Sequence, residues 1–240
     1  MVAGAVSAQA LTRDMEWLLA RVDILEPVSQ EEVRTLARYS TFAHLNASDD
    51  PIVVAAEEHA ERLILLLDGR VRVYEEGFSG RQVTVSVVEG GTLVGATGFA
   101  FCSPLGLRVE ALESSTICGV RRRVFEQLVD KNPTLGTRVA RLFGERLIET
   151  QARLADLACK EVPERLASQI LRLVESEGVV TREGYTILTR YTHQQLGSMI
   201  GANREAVTRA LKELREQGGV DVRNRRIHVV NAEILRHTSE

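Results

Sequence analysis

The sequence predicts an α+β chain: a β-roll (jelly-roll) preceded by short helices, then one long helix, then a small domain of helices and hairpins. Three observations carry this. Between about Pro51 and Val120 apolar residues recur with a period of two. After Asn132-Pro133 a helical period runs for about seven turns without Pro or a Gly pair. After Pro163 short helices and hairpins alternate. The expected domains are 1–132 for the roll with its N-terminal helices, 133–161 for the long helix and 162–240 for a winged helix-turn-helix.

The elements follow in order. Trp17, Leu18, Val22, Leu25, Val33, Leu36 and Ala37 recur at spacings of three and four, broken at Pro27, so two short helices are expected. Ser29-Gln-Glu-Glu32 has the spacing of a capping box for the second. In the roll, Val83-Thr-Val85-Ser-Val87 alternates strictly, as do Val71-Arg-Val73 and Val109-Glu-Ala111. The stretch Arg62 to Asp68 is a fully apolar strand ending in a turn at Gly69. Glu76 to Gly80 and Glu89-Gly90-Gly91 are further turns. Many short strands with no helix between them make a sandwich or roll.

On the long helix, Phe143, Leu147, Thr150, Leu154 and Leu157 stand four, three, four and three residues apart. That is the seam along which one helix packs on another, with Arg141, Glu145, Glu149 and Arg153 expected outside. The seam fits a homodimer. Covering the chain's own sheet is the alternative use of such a stripe. Thr150 would then be an odd core residue, whereas polar seam residues set register or touch a ligand.

Pro163 opens a further helix. Val179 to Leu188 reads as a hairpin, two helices follow, and Val220 to Val229 reads as a second hairpin turning at Asn224. The window Thr192 to Leu211 carries the most information. Two helices crossing through a tight turn need a narrow first helix, which Gly197 supplies. The turn needs left-handed backbone, which Gly201 adopts at little cost. Leu196, Ile200, Val207 and Leu211 form the apolar wedge, and Asn203 can cap the second helix. Outward from that helix stand Arg204, Glu205, Thr208 and Arg209. Arginine matches guanine bidentately in the major groove and glutamate accepts from cytosine. Arg204, Glu205 and Arg209 carry that chemistry on the outer face of the helix. Thr192, His193, Gln194, Asn203, Thr208, Arg225 and Arg226 are expected on the phosphate backbone, which sets position while bases set sequence. The competing reading is a solvated face on which Glu205 and Arg209 pair.

The composition agrees with such a division. The 240 residues are 44% hydrophobic and 26% charged, with net charge −3. From Pro163 onward 12 Lys and Arg stand against 10 Asp and Glu, so this third is positive (+2) and the rest negative (−5). No segment reaches the ~20 apolar residues of a bilayer span. Met1 to Ala10 lacks the basic start of a signal peptide, so a cytoplasmic protein is expected. Cys102, Cys118 and Cys159 form no CxxC or CxH spacing, and neither disulfides nor a local metal site are expected. Cys118, among apolar and small residues, reads as a small buried hydrophobe. His44 and His59 are isolated. No catalytic constellation appears; Glu57-Glu58-His59 lies in a polar turn.

The stretch from about Pro51 to the C-terminus resembles the superfamily of the cyclic-AMP receptor protein and the fumarate-nitrate regulator (CRP/FNR). The carriers are Asp68-Gly69-Arg-Val-Arg-Val73, Gly90-Gly91-Thr-Leu-Val-Gly95, Val162-Pro-Glu-Arg165-Leu-Ala and Gly201-Ala-Asn-Arg-Glu-Ala-Val-Thr-Arg209. The resemblance implies a cyclic-nucleotide-binding-like roll and a dimer clamped along the long helix. It also implies a recognition helix from each subunit in successive major grooves, with Arg204, Glu205 and Arg209 reading bases and Thr192, Gln194 and Asn203 touching the backbone, double-stranded DNA as partner and RNA polymerase as a second partner of an activator. Half-site centres then lie about 34 Å apart.

The effector pocket departs from the pattern. Family members that bind cyclic AMP follow the Gly with Glu and place Arg-Ser or Arg-Thr about ten residues later. Here Ala96 follows Gly95, and Leu105 and Gly106 stand where the phosphate ligands belong. Arg108 is a displaced substitute. Thr150 keeps the hydroxyl that reaches the nucleobase in the family, with seam register as its other reading. A phosphate desolvated without its guanidinium is unmatched, so cyclic AMP is not expected in the usual mode. The effector stays open: another small molecule, a redox role for Cys102 or Cys159, or none. The N-terminal cysteine cluster of iron–sulfur sensors is absent, and no cofactor is expected. The rival functions are an enzyme, a cyclic-nucleotide-like module regulating a protein partner, and a purely structural dimer. A module that regulates a protein partner would not need Arg204 and Arg209 on a helix after Gly201.

Overall fold

A computed structural model describes residues 15–53, 62–77, 79–94 and 107–239. The chain divides into two units, Met1–Glu76 with Ser86–Arg146 and Gly77–Val85 with Leu147–Glu240.

The first unit begins with a helical turn at 15–19 (α1), a 3₁₀ turn Asp23–Leu25 and α2 (Gln30–Arg38). The Ser29 capping box is formed: Glu32 N–H donates to the Ser29 hydroxyl, and the Glu32 carboxylate accepts from Ser29 N–H at 3.0 Å. Eight strands follow: β1 (Ser40–Leu45), β2 (Ile52–Val53), β3 (Arg62–Asp68), β4 (Arg70–Glu76), β5 (Gln82–Glu89), β6 (Thr92–Val94), β7 (Leu107–Ala111) and β8 (Ser115–Arg121). They form two sheets of order β1-β8-β3-β6 and β2-β7-β4-β5, β5 running on from the second unit into the first. Leu66, Val94 and Ile117 of one sheet meet Val71, Val73, Val88 and Val109 of the other between them. The opposite face of the first sheet, with Leu63, Leu65, Leu67 and Cys118, is covered by Leu25, Val33 and Leu36 and by Phe125 and Leu128 of α3 (Arg122–Lys131). Burial on both faces is why Leu63 to Leu67 is uninterruptedly apolar. Gly69 turns β3 into β4 at φ +89°, where a Cβ would lie 2.5 Å from the Ser114 carbonyl oxygen.

Three expectations are corrected here. Trp17, placed on the apolar helix face, is 59% exposed and lies under the Arg21 guanidinium, 4.5 Å from its centroid. Arg72, polar in the alternation of β4, is buried, its Nε 2.6 Å from Glu110 directly across in β7, with the guanidinium 4.2 Å over Tyr74. β1 and α3 were not anticipated. Cys118 is buried as expected, and burial pushes its thiol up to about 12 although a Ser40 hydrogen bond lowers it.

The long helix α4 (Pro133–Cys159) contributes Leu135 and Val139 to the core of the first unit. Its later half belongs to the second unit. There Arg153, expected outside, turns inward: it is half-buried and donates to the Val85 carbonyl at 2.7 Å. The second unit continues with α5 (Val162–Glu177), β9 (Gly178–Thr181), β10 (Gly184–Ile187), α6 (His193–Ile200), α7 (Arg204–Glu216), β11 (Val220–Arg223), β12 (Arg226–Val229) and α8 (Ala232–Ser239). Its sheet has order β11-β12-β10-β9. Leu166, Ile170, Leu196, Val207, Leu214, Val229 and Leu235 are buried in it. The two hairpins and the helix pair stand where the sequence placed them. α8, which follows the second hairpin and packs on α5, was not anticipated.

Candidate nucleic-acid interface

The site is built by the crossing of α6 and α7. Thr192 caps α6, its hydroxyl accepting from Gln195 N–H at 3.1 Å while Gln195 Oε1 accepts from Thr192 N–H at 2.9 Å. α6 ends at Gly201 in the left-handed region (φ 66°, ψ 31°), and Ala202 N–H closes the turn on the Gly197 carbonyl at 2.9 Å. A Cβ on Gly197 would meet the Ala202 carbonyl oxygen at 2.6 Å, so only glycine fits. Asn203 Oδ1 accepts from Ala206 N–H at 2.8 Å and starts α7. Leu196, Ile200, Val207 and Leu211, the wedge, are all buried.

The turn is held from both sides. Arg165 donates to the Ile200 carbonyl at 2.9 Å and to the Lys160 carbonyl at 2.6 Å. Arg81 donates to the Gly201 carbonyl at 3.0 Å, and the buried hydroxyls of Thr84 and Ser198 meet at 2.6 Å. Cationic donors on the last carbonyls of a helix offset its negative end. The sequence reading missed these supports. Their acceptors are main-chain carbonyls, which leave no mark on the partner residue type.

Burial of Val207, Ala210, Leu211 and Leu214 turns the other face of α7 outward, and Arg204, Glu205, Thr208 and Arg209 are all exposed on its first turns. Gln194 is exposed at the start of α6. Thr208 donates its hydroxyl to the Arg204 carbonyl at 2.9 Å, and His193 Nδ1 lies 2.8 Å from the same hydroxyl oxygen. Thr192, Asn203 and Thr208, expected on phosphates, thus use side-chain oxygens to cap and position the helices. In the wing, Asn224 (φ 52°) and Arg225 (φ 62°) make a left-handed two-residue turn that leaves Arg225 exposed at its tip. Arg226 donates to the Leu188 carbonyl at 3.1 Å. Arg223 is engaged by Glu183 and Asp221, which raise its pKa, while the Arg223 hydrogen bond and Val222 N–H hold Asp221 below its ordinary value.

On α4, Leu147, Ile148, Leu154 and Leu157 are 47–67% exposed in the single chain, with Thr150 exposed among them. Phe143 does not belong to this open stripe: it packs partly on the core of its own unit. Behind the stripe Asp156 accepts from Lys160 at 3.0 Å and Arg172 at 2.9 Å. Of the expected effector residues, Gly95, Ala96, Leu105 and Gly106 lie outside the described residues, as do Cys102 and His59. Arg108 sits on β7 with its Nε 3.4 Å from Glu76. Among the described residues no cluster of three His, Cys, Asp or Glu could hold a metal, and no helix is long and apolar enough to cross a membrane.

Residues 45–132 match the cyclic nucleotide-binding domain family, and residues 164–238 match the Crp-like helix-turn-helix domain family. The CRP-like cAMP-activated global transcriptional regulator of Mycobacterium tuberculosis is 24% identical over 226 residues, covering 92% of this chain and 98% of that one. The global nitrogen regulator of a Nostoc species is 30% identical over 180 residues, 71% of this chain and 77% of that one. A mutant of CooA from Carboxydothermus hydrogenoformans superposes with a TM-score of 0.71 at 20% identity, covering 85% of this chain and 89% of that one, and so shares the fold. With a cyclic nucleotide-binding domain ahead of a helix-turn-helix, and relatives aligned across both, the chain belongs to the CRP/FNR family of transcription regulators.

Proposed function

We propose that this regulator binds a palindromic operator as a homodimer, joined along the α4 stripe, with Arg204, Glu205 and Arg209 reading bases. The observation that carries this is the outward face of α7: two guanidiniums and a carboxylate on its first two turns, presented by a helix crossing that admits no side chain at Gly197. Gln194, His193 and Arg225 supply phosphate contacts, and Arg226 backs the wing. These contacts give an affinity that falls steeply with salt. The exposed leucines supply the partner surface, about one and a half heptads of seam beyond Phe143. The protein acts in the cytoplasm, and as an activator it would also contact RNA polymerase.

Cyclic AMP is not its effector in the usual mode. Relatives carry the name cAMP-activated. Here Ala96, Leu105 and Gly106 replace the glutamate and the phosphate-binding pair of the family pattern, and Arg108 is engaged with Glu76. Calorimetry should detect no tight cyclic-AMP binding. Tight binding lost on Arg108→Ala would reverse this reading.

Gel shifts on specific and scrambled duplexes test the reading roles. Arg204→Ala should cost about 1–3 kcal/mol on the specific duplex alone, because a bidentate base contact is lost. Arg225→Ala should weaken both duplexes similarly. Equal loss on both for Arg204→Ala would remove it from the reading set.

A further inference from the structure

We infer that Glu177 is a positioning residue of the DNA interface: its buried carboxylate fixes the start of α6, and with it the backbone contact made there. The inference rests on the proposed phosphate contact at Gln194 and adds to it a residue of α5 that meets no DNA.

Glu177 is the last residue of α5 and is only 7% exposed. Neither its burial nor its place favours an acid. A carboxylate out of water is costly, and the C-terminal end of a helix already carries the negative end of the dipole. What offsets both is one short segment of chain. Oε2 accepts from Thr189 N–H at 2.9 Å and from the Thr189 hydroxyl at 2.5 Å, and Oε1 accepts from the Tyr191 hydroxyl at 2.6 Å. Thr189 and Tyr191 are themselves buried. Hydrogen bonds to a charged group out of water are the strong ones, so this segment has little freedom.

That segment is the strap between β10 and α6, residues 188–192. Its Leu188 carbonyl accepts from Arg226 of the wing strand at 3.1 Å. Its last residue, Thr192, caps α6 and leads directly into His193 and the exposed Gln194. The far end of α6 is held by other groups, Arg165 on the Ile200 carbonyl and Arg81 on the Gly201 carbonyl. The helix therefore has two separate anchors. The arginines fix the turn from which α7 and its base readers start. Glu177 fixes the end that carries the backbone contact. Loosening Glu177 weakens the grip on phosphates and leaves base reading in place.

Two variants probe the anchor. Glu177→Gln keeps the shape but turns one acceptor oxygen into a donor, which the Thr189 N–H cannot meet. Tyr191→Phe is milder, removing one donor and leaving the Thr189 bonds. The assay is fluorescence anisotropy on a labelled duplex selected from a random pool and on its scrambled counterpart. Each variant is measured alone and combined with Gln194→Ala or with Arg204→Ala. Glu177→Gln should weaken both duplexes by the same factor, about tenfold per half-site, the worth of one hydrogen bond to a charged group. Tyr191→Phe should do the same to a smaller extent and add little to Glu177→Gln. With Gln194→Ala the loss from Glu177→Gln should largely disappear, because the contact it supports is gone. With Arg204→Ala it should persist in full. A general loss of stability would cost the same in both backgrounds. Hydrogen exchange in Glu177→Gln should quicken at Thr189 and the first turn of α6, with the Ala202 and Val207 amides of the turn unchanged.

Equal losses in the two backgrounds, or a loss confined to the selected duplex, overturn the inference and leave the DNA reading standing. Wild-type exchange at Thr189 and the start of α6 in Glu177→Gln overturns it as well. Failure of the wild type to select any duplex would instead sink the reading of the interface itself, while exchange would still report whether Glu177 anchors α6.

Discussion

Replacing Gly197 by alanine tests the helix crossing on which the site depends. The added Cβ would lie 2.6 Å from the Ala202 carbonyl oxygen, against 3.4 Å for ordinary contact. One of the two must retreat by about 0.8 Å. Neither group is a flexible side-chain end. The oxygen belongs to the turn, and the same residue's N–H is bonded to the Gly197 carbonyl at 2.9 Å. Overpacking of this kind costs about 1–3 kcal/mol, offset by the roughly 1 kcal/mol that alanine gains over glycine inside a helix. A net loss of about 1 kcal/mol is expected, with α7 displaced at its first turn, where Arg204 and Glu205 stand. Specific binding should suffer more than stability, because a bidentate contact tolerates little displacement. Gly144→Ala is the matched control: nothing lies within 4 Å of its Cβ in the single chain, so the helix gain of about 1 kcal/mol should appear unopposed. Chemical denaturation and anisotropy on specific and scrambled duplexes read both effects. If Gly197→Ala proves as stable as Gly144→Ala and binds the operator undiminished, the close crossing is refuted.

The dimer stripe and the end of α4 give two further tests. Leu154, 66% exposed in the single chain, can accept glutamate without disturbing its own fold. Leu154→Glu should therefore sediment as a folded monomer and lose most operator affinity; a persisting dimer would move the interface elsewhere. At Asp156 burial raises the carboxyl pKa, but hydrogen bonds and charge from Lys160 and Arg172 outweigh it and leave the value below the ordinary one. The folded value being the lower, this stabilisation is complete above the unfolded value of about 3.9 and fades as pH falls through the depressed one. Urea unfolding between pH 3 and 7 should show Asp156→Asn less stable at neutral pH, with a shallower fall in acid; parallel curves would contradict the assignment.

What could be read from the residues followed their periodicity. β3 was legible because burial on both faces makes it apolar throughout. The helix-turn-helix was legible because its turn admits so few residue types at positions 197, 201 and 203. The missed elements carry few anchors. β1 buries only Leu45, α3 only Phe125 and Leu128, and α8 only Leu235, so none has a marked period. Arg72 was misplaced because alternation equates polarity with exposure. Its burial depends on the cross-strand register that sets Glu110 opposite it. Arg153 and Phe143 failed for a related reason. A seam pattern says which residues share a helix face, and the chain's own hairpin and core decide how much of that face they cover.

The proposed function requires paired α7 helices to read duplex DNA with twofold symmetry. Selection of bound sites from a random duplex pool, followed by sequencing, measures this directly. Recovery of an inverted repeat with half-site centres about one helical turn apart, lost on Arg204→Ala, is the predicted result. A pool with no enriched sequence, or an enriched site without twofold symmetry, would contradict it.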